Sequence, residues 1–108
     1  MNAQIPANTS LSHLSIGVEN PDEMFTVARA LASDVRIGIL RLLSDRNMNV
    51  NEIAMTLDIP TSTAALNVRV LEEANLIHTR MLPGVRGAMK LCSRRVRGLA
   101  VNLLPDGR

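Results

Sequence analysis

Apolar residues recur every three to four positions through most of this sequence, which is the spacing of amphipathic helices. The first helical stretch opens at "NPDEMF", where Asn20 can act as the cap, Pro21 suits the first helical position and Glu23 completes a capping-box spacing. Ser33 can cap a second helix, "DVRIGILRLLSD", whose apolar residues cover two neighbouring faces. A helix this apolar is predicted to lie centrally in a bundle.

Two shorter helices are predicted next, with a brief turn between them. Asn49 and Glu52 give a capping-box spacing at the head of "NVNEIAMTLDI", and the apolar pattern stops at "DIP" after two turns. The next helix, residues 61–74, begins with the hydroxyl residues "TST". Two short helices joined by about three residues have the spacing of a helix-turn-helix.

The remaining stretches predict a hairpin, a terminal helix and an arm. The apolar period changes to 2 in "LIHTRML" and "AMKLCS", which flank the turn-forming "PGVRG", so residues 76–93 are predicted to form a β-hairpin. Residues 94–104 return to helical spacing and are predicted to form a terminal helix. Residues 1–19, rich in Asn, Ser and Thr, are predicted to be a flexible arm with a possible short strand at 13–18.

The length of the chain, 108 residues, favours one domain with a modest core, which we assign to residues 20–104. No apolar run is long enough to cross a bilayer, and the N-terminus has no charged segment followed by an apolar one. The single cysteine, Cys92, excludes an intrachain disulfide and fits a reducing compartment. We therefore expect a cytoplasmic protein, mainly α with a small β-hairpin, that does not associate with membranes.

Charge is distributed unevenly along the chain. Residues 1–75 hold five arginines and nine acidic residues, whereas residues 76–108 hold six arginines, one lysine and one aspartate. A basic end on a chain whose net charge is only +2 favours contact with a polyanion. From charge alone, a solvated basic face explains the same distribution equally well.

The helix at residues 61–74 is predicted to have one buried and one open side. The buried side holds the apolar residues Ala64, Val68 and Leu71. The open side holds Ser62, Ala65, Leu66, Arg69 and Glu73. Hydroxyl groups beside the free N–H groups of a helix start suit phosphate oxygens and base edges. The alternative is that the hydroxyls only cap the helix and that Arg69 lies on a solvated face.

The order of these elements is that of a winged helix-turn-helix. Three segments, "LASDVRIGILRLL", "EIAMTLDIPTSTAALNVRVLEEANLI" and the hairpin with glycines at its tip, resemble the ArsR-type family of bacterial repressors. The resemblance covers about residues 24–104. Its motifs are loose residue by residue but specific as an ordered set.

The resemblance implies a transcriptional regulator that binds double-stranded DNA sequence-specifically, with a repressor favoured and an activator as the alternative. Helix 61–74 would enter the major groove, and the hairpin would form a wing on the backbone. The residues that would face bases are Thr61, Ser62, Thr63, Ala65, Leu66 and Asn67. The residues that would contact phosphates are Arg69 and, in the wing, Arg80, Arg86 and Lys90. The family often has paired histidines where this chain has Leu66 and Asn67, which leaves the base preference open.

The resemblance also implies a two-fold dimer built from the first and last helices, and therefore a palindromic operator. The residues expected at the interface are Met24, Phe25, Val27, Leu31, Leu99, Leu103 and Leu104. The alternative is that these apolar stripes close the core of the monomer.

Many members of the family sense metals through cysteine and histidine clusters. Here the usual Cys-x-Cys position reads "NVN" at residues 49–51, and the chain has only His13, His78 and Cys92, too few for a tetrahedral site. We expect no metal and no other cofactor. Cys92 is expected to be a small buried apolar residue, with a redox role favoured by Lys90 and the nearby arginines as the alternative.

The sequence contains neither a glycine-rich phosphate loop nor a histidine paired with a nucleophile, so we expect no enzymatic activity. Two functions stay open: a DNA-binding regulator, or a winged-helix module that binds protein through the same faces. The basic wing and the helix that begins with hydroxyl residues favour the first. A complete small regulator and the DNA-binding part of a longer protein both agree with the sequence.

Overall fold

The computed structural model describes residues 12–84 and 87–105, which form four helices and two small sheets. The helices are α1 (Pro21–Leu31), α2 (Asp34–Leu43), α3 (Val50–Leu57) and α4 (Thr61–Glu73). The strands are β1 (Ser12–Gly17), β2 (Met48–Asn49), β3 (Ile77–Gly84), β4 (Gly87–Arg94) and β5 (Val96–Asn102). This is the predicted winged helix-turn-helix fold, with α3 and α4 as the helix pair and β3–β4 as the wing.

The first three helices begin at the capping residues that the sequence predicts. Asn20 caps α1 and Ser33 caps α2. At α3 the capping box is complete: the Glu52 amide donates to the Asn49 side chain at 2.8 Å, and the Asn49 amide donates to the Glu52 carboxylate at 2.9 Å. Within the described residues, no helix is long and apolar enough to cross a membrane.

The core lies where the helices meet the wing sheet. The largest fully buried side chains are Val27, Ile39, Leu43, Ile53, Val68, Leu71, Ile77 and Cys92. Each buried aliphatic side chain contributes about 1.5–3 kcal/mol relative to exposure. Because α4 contacts all three other helices and β3, this core fixes α4 and the wing in one unit.

The wing belongs to a three-stranded antiparallel sheet in the order β2-β4-β3. The hairpin register runs from Ile77 opposite Arg94 to Gly84 opposite Gly87. Gly87 has φ 114°, a left-handed conformation that a side chain would strain. The sequence does not predict β2, because two residues are too few to show a strand period.

The predicted terminal helix over residues 94–104 is wrong, since this segment contains β5 instead. The apolar spacing fits a helix, but Val96 and Val101 are β-branched and Gly98 is a poor helix former, so the local preference is for a strand. Pairing with β1 then satisfies backbone groups that both segments would otherwise leave open.

The strand β1 lies where the sequence allows a short strand at 13–18, while residues 1–11 of the predicted arm fall outside the described residues. It runs parallel to β5 in a separate two-stranded sheet. One face of this sheet carries the paired apolar residues Leu14 with Leu99 and Ile16 with Val101. That face packs on the core, because Ile16 is buried and Leu14 and Leu99 lie against it.

Candidate nucleic-acid interface

Helix α4 has the buried and exposed sides that its sequence predicts. Ala64, Val68 and Leu71 have no exposed surface. The exposed residues of the helix are Thr61, Ser62, Ala65, Leu66, Arg69 and Glu73. Leu66 is 60% exposed. The helix therefore presents small, polar and apolar groups along one open stripe.

The start of α4 differs from the other helix starts. Its cap is Pro60, which forms no side-chain cap hydrogen bond, and the first helical bond runs from the Ala64 amide to the Pro60 carbonyl at 3.0 Å. The preceding residues, Thr61, Ser62 and Thr63, therefore keep free backbone N–H groups, and their hydroxyls form no hydrogen bond within the described part of the chain. The hydroxyls do not cap this helix, so the capping-only interpretation does not hold.

The turn between α3 and α4 is held by a left-handed residue and a backbone hydrogen bond. Asp58 ends α3 in the left-handed conformation at φ 56° and ψ 51°. The amide of Ile59 then donates to the Ala54 carbonyl at 3.0 Å, and the Ile59 side chain packs against the core. An aspartate tolerates this conformation better than most residues do. Thr61 and Ser62, which follow this turn, are exposed.

The predicted placement of Asn67 against bases is wrong, because its side chain is 9% exposed and bonded within the chain. Its amide nitrogen donates to the Thr63 carbonyl at 2.9 Å, and its oxygen accepts from Arg36 Nη1 at 2.7 Å. Arg36 also donates to the carbonyls of Ala30 and Arg29, at 2.9 and 2.8 Å, at the end of α1. Asn67 thus attaches α4 to α1 and α2. Helical spacing alone puts it at the edge between the two sides, so its burial could not be inferred.

The two described basic residues predicted in the wing lie on opposite faces of its sheet. Arg80 is exposed and shares its face with His78 and with their partner strand residues, Leu91 and Ser93. Lys90 pairs with Met81 on the other face. Arg86, the third predicted wing residue, lies outside the described residues.

Lys90 is engaged within the chain. Its Nζ lies 3.3 Å from the Glu72 carboxylate on α4, and the Thr79 hydroxyl donates to the other oxygen of that carboxylate. The Thr79 hydrogen bond, followed by the contact with Lys90, lowers the pKa of Glu72 despite partial burial. This cluster joins the end of α4 to both wing strands and fixes the distance between them.

A groove between α3, α4 and the wing is lined by two residues that the sequence predicts to contact DNA, Ala65 and Lys90, and by six that it does not. Its lining consists of Asn49, Val50, Asn51, Ala65, Met81, Ala88, Met89 and Lys90. Met81 is 61% exposed, and Met89 accepts a hydrogen bond on sulfur from the Asn49 side chain at 3.6 Å. The strand period could have placed Met81 and Lys90 on one face, but only the fold brings α3 beside them.

Cys92 is fully buried, as expected for a small apolar residue. Burial raises the pKa of its thiol to about 11, and the nearby Lys90 offsets this only in part. A neutral, inaccessible thiol is a poor nucleophile. His78 lies on the opposite, exposed face of the hairpin from Cys92.

The residues predicted at a dimer interface fall into two groups. Val27 is 2% exposed within one chain, so its placement at an interface is wrong; Met24, Leu31 and Leu99 are half-buried against the core. Phe25, Leu103 and Leu104 are exposed, by 58–71%. The second group remains available to a partner: Phe25 lies on α1, and Leu103 and Leu104 follow the strand β5.

Residues 31–80 match the family model described as a helix-turn-helix domain. Comparison with curated proteins finds no match. The matched residues run from the end of α1 to the middle of β3, and so include both helices of the motif and the turn between them.

Solved structures share the fold over most of the chain. A possible transcriptional regulatory protein (fragment 1–100) from Mycobacterium bovis is 26% identical, with a TM-score of 0.63 over 72% of this chain and 80% of that chain. A solution structure from the same organism, of a homodimeric winged helix-turn-helix DNA-binding domain and possible ArsR-family regulator, is 22% identical, with a TM-score of 0.62 over 87% and 76%.

HlyU from Vibrio cholerae is 20% identical, with a TM-score of 0.60 over 74% of this chain and 83% of that chain. Transcriptional regulators thus recur among the structures that share this fold, and the sequence match covers the helix pair itself. The chain therefore contains a helix-turn-helix domain, and over most of its length its fold resembles that of ArsR-type winged helix-turn-helix proteins, as its sequence predicts.

Proposed function

We propose that this chain is a transcriptional repressor that binds a palindromic operator in double-stranded DNA as a homodimer. Helix α4 enters the major groove and the wing lies along the sugar-phosphate backbone. The observation that carries this proposal is the exposed start of α4, which combines free N–H groups with unused hydroxyls. The positive end of a helix dipole attracts anions, and here no acidic residue occupies the first turn.

The open stripe of α4 suits the floor of a major groove. Ser62 and Ala65 are small enough for close approach, and a hydroxyl can donate to or accept from a base edge. Leu66 offers only apolar contact, which fits the methyl group of thymine. Arg69 lies one to two turns further along the helix, where it reaches a backbone phosphate rather than a base.

The wing supplies the second contact with DNA. Arg80 is exposed and extends from a strand whose distance from α4 is fixed by Glu72 and Thr79. Lys90 adds positive potential beside the groove while it remains paired with Glu72. A rigid spacing between helix and wing lets both elements meet the duplex without reordering, which favours binding.

A dimer is supported by the exposed apolar residues Phe25, Leu103 and Leu104, and by the homodimeric state of the similar Mycobacterium bovis domain. Two copies related by a two-fold axis present two α4 helices, so the operator they bind has the same symmetry.

The direct test measures binding to an operator selected from random duplexes, together with thermal melts of the same proteins. Ser62→Ala should change the free energy of unfolding by less than about 0.5 kcal/mol, because the side chain is exposed and forms no hydrogen bond within the described residues. It should weaken operator binding by about 1–3 kcal/mol, or roughly five- to 150-fold in Kd, as expected for a lost base contact. Leu66→Ala should relax the preference for a single thymine.

Arg69→Ala should weaken operator and random DNA alike and reduce the slope of log K against log salt by about one. Arg41→Ala is the matched control, since Arg41 is an exposed arginine on α2 and its removal changes net charge equally. If Arg41→Ala had the same effect as Arg69→Ala, the contact would be non-specific attraction. If the wild-type protein bound no duplex, the proposal would be wrong and the α4 stripe would instead suit a protein partner.

A further inference from the structure

Among the described residues, the strand β5 pairs with β1 on one edge and with no strand on the other. The Val18 amide of the segment after β1 donates to the Asn102 carbonyl at 3.0 Å, so Asn102 faces β1. Backbone groups of successive residues in a strand point to alternate sides, and in a parallel ladder one residue directs both N–H and C=O to the same neighbour. Ala100 therefore also faces β1, whereas Leu99 and Val101 direct their N–H and C=O groups away from it.

The side chains show the same asymmetry across this sheet. Ile16 and Val101 are paired and share a face, yet Ile16 is 3% exposed and Val101 is 45% exposed. Leu103, one position past the strand, is 71% exposed. The apolar face is covered along β1, whereas at β5 Leu99 packs against the core and Val101 beyond it is exposed. Two-stranded sheets are marginally stable alone, and parallel sheets are usually buried.

We propose that β5 pairs antiparallel with β5 of a second copy of this chain, centred on Ala100, to form a four-stranded sheet across the dimer axis. The proposal rests on the dimer of the proposed function and replaces the helical interface expected from the sequence. A two-fold axis perpendicular to the sheet makes the two strands antiparallel without further adjustment.

This edge is complementary to itself. In the register centred on Ala100, Leu99 of one copy faces Val101 of the other, and the two residues exchange both N–H···O=C bonds. The two-fold axis repeats this exchange between Val101 of the first copy and Leu99 of the second. Four hydrogen bonds result, all from backbone groups that do not bond to β1. The same pairing joins the uncovered apolar side chains of both copies on one face.

Charge also favours a second copy over a charged partner. Residues 98–105 contain no charged side chain, so the centre of the pairing buries none. The one charged residue of β5, Arg97, would face position 103 of the other strand, which places the two arginines at opposite ends. A charged peptide would find no complementary group along this stretch of edge.

The test uses disulfide formation at the centre of the pairing. Ala100 faces Ala100 of the second copy as a non-hydrogen-bonded pair, with Cα atoms about 4.5 Å apart, within the range of about 4.4–6.8 Å that disulfides span. Under mild oxidation, Ala100→Cys should form covalent dimers about tenfold or more faster than Ser15→Cys, because pairing raises the effective concentration of the thiols. Ser15 is the matched control: it pairs with Ala100, lies on the same face, and is exposed. The native Cys92 is buried and does not interfere.

A second measurement needs no substitution. The amides of Leu99 and Val101 should gain protection from hydrogen exchange as protein concentration rises, while the amide of Ala100, already bonded to β1, should change little. Equal cross-linking of both cysteine variants, or protection that does not depend on concentration, would overturn the inference.

DNA binding is measured on the same samples, so the two proposals can fail separately. A dimer that binds its operator but does not cross-link at Ala100 leaves the proposed function standing and refutes this interface. Rapid cross-linking at position 100 in a protein that binds no duplex supports this interface and refutes the proposed function. A wild-type monomer at concentrations on the order of tens of micromolar would refute the interface and the dimer together.

Discussion

The two sheets of this molecule are stabilised in different ways. The wing sheet joins the core through Ile77 and Cys92, which are 1% and 0% exposed, and Arg94 ties its end to the Ser44 carbonyl at 2.8 Å. The terminal sheet pairs β1 with β5 and leaves the outer strand partly uncovered. The wing sheet is therefore covered by the core of its own chain, whereas the terminal sheet would gain the most buried apolar surface from a partner. We call the helices together with the wing sheet the stable unit, and the β1–β5 sheet the terminal sheet. The surface proposed to bind DNA belongs to the stable unit, and the proposed dimer interface belongs to the terminal sheet.

The largest effect expected from this comparison is in the stable unit. Val68 has no exposed surface and sits between α4 and the rest of the core, so Val68→Asp buries a charge without a partner. The cost should be about 4 kcal/mol or more, against a total stability of about 5–15 kcal/mol for a typical domain. The variant should be largely unfolded by circular dichroism and should bind no DNA.

Leu66→Asp provides the matched control, because it places the same charge two residues earlier on the open side of α4. Its melting temperature should stay close to that of the wild type, while repulsion from phosphates abolishes DNA binding. Comparable unfolding of both variants would mean that the two sides of α4 do not differ as described.

The stable unit was also the part most open to prediction from sequence. The caps Ser33 and Asn49 accept hydrogen bonds from the backbone amides three residues further along the chain. The apolar face of α4 follows from the helical period alone. Both signals are local, so no knowledge of the fold is needed. The same logic located the hairpin from its change of period and its glycines.

The errors lie where distant contacts decide the outcome. The segment Val96–Asn102 has helical spacing, but it is a strand because β1, 84–85 residues earlier, supplies its hydrogen bonds. Asn67 is buried because Arg36, on another helix, bonds to it. Lys90 is ion-paired because the hairpin folds back on Glu72. None of these partners can be identified from spacing within one element.

A paired substitution in the terminal sheet tests its asymmetry directly. Ile16→Ala should destabilise the monomer by about 2–4 kcal/mol, since it removes most of a buried side chain from the core. Val101→Ala, its partner on the same face, should cost less than about 1 kcal/mol in the monomer because that side chain is already half exposed to water. Urea unfolding at low protein concentration measures both.

At high protein concentration Val101→Ala should also weaken the dimer, whereas Ile16→Ala should act through folding alone. Equal costs for the two variants in the monomer would show that β5 is as well covered as β1, and the proposed open edge would lose its support.

A smaller effect is expected where α4 is attached to the first two helices. Asn67→Ala removes the acceptor of Arg36 Nη1 and leaves a half-buried guanidinium with one unmet donor. The expected cost is about 1–3 kcal/mol in urea unfolding. DNA affinity should fall as well, although Asn67 is not on the open side, because α4 is no longer held in place. Loss of affinity for one base only, with stability unchanged, would instead restore Asn67 as a base contact.

The smallest effect concerns the link between α4 and the wing. Glu72 is stabilised in its ionised form, first by the Thr79 hydroxyl and then by Lys90, so folding lowers its pKa. A group whose pKa is lowered by folding contributes stability above its unfolded pKa, about 4.3 for glutamate, and loses it as pH falls through the lower folded value. Glu72 is 39% exposed, so solvent screening limits the gain to less than about 1 kcal/mol.

Glu72→Gln should therefore lower the melting temperature slightly at pH 7, and the difference from the wild type should shrink once the pH falls below about 4. Thr79→Val gives the comparison for the hydrogen bond alone, because it keeps the carboxylate and its pairing with Lys90. If the Glu72→Gln difference stayed constant down to pH 2, the carboxylate charge would not be what joins the wing to α4. At pH 7, Glu72→Gln should also bind all DNA sequences more weakly, without a change in base preference. That result would show that the cluster acts by holding the wing at a fixed distance from α4.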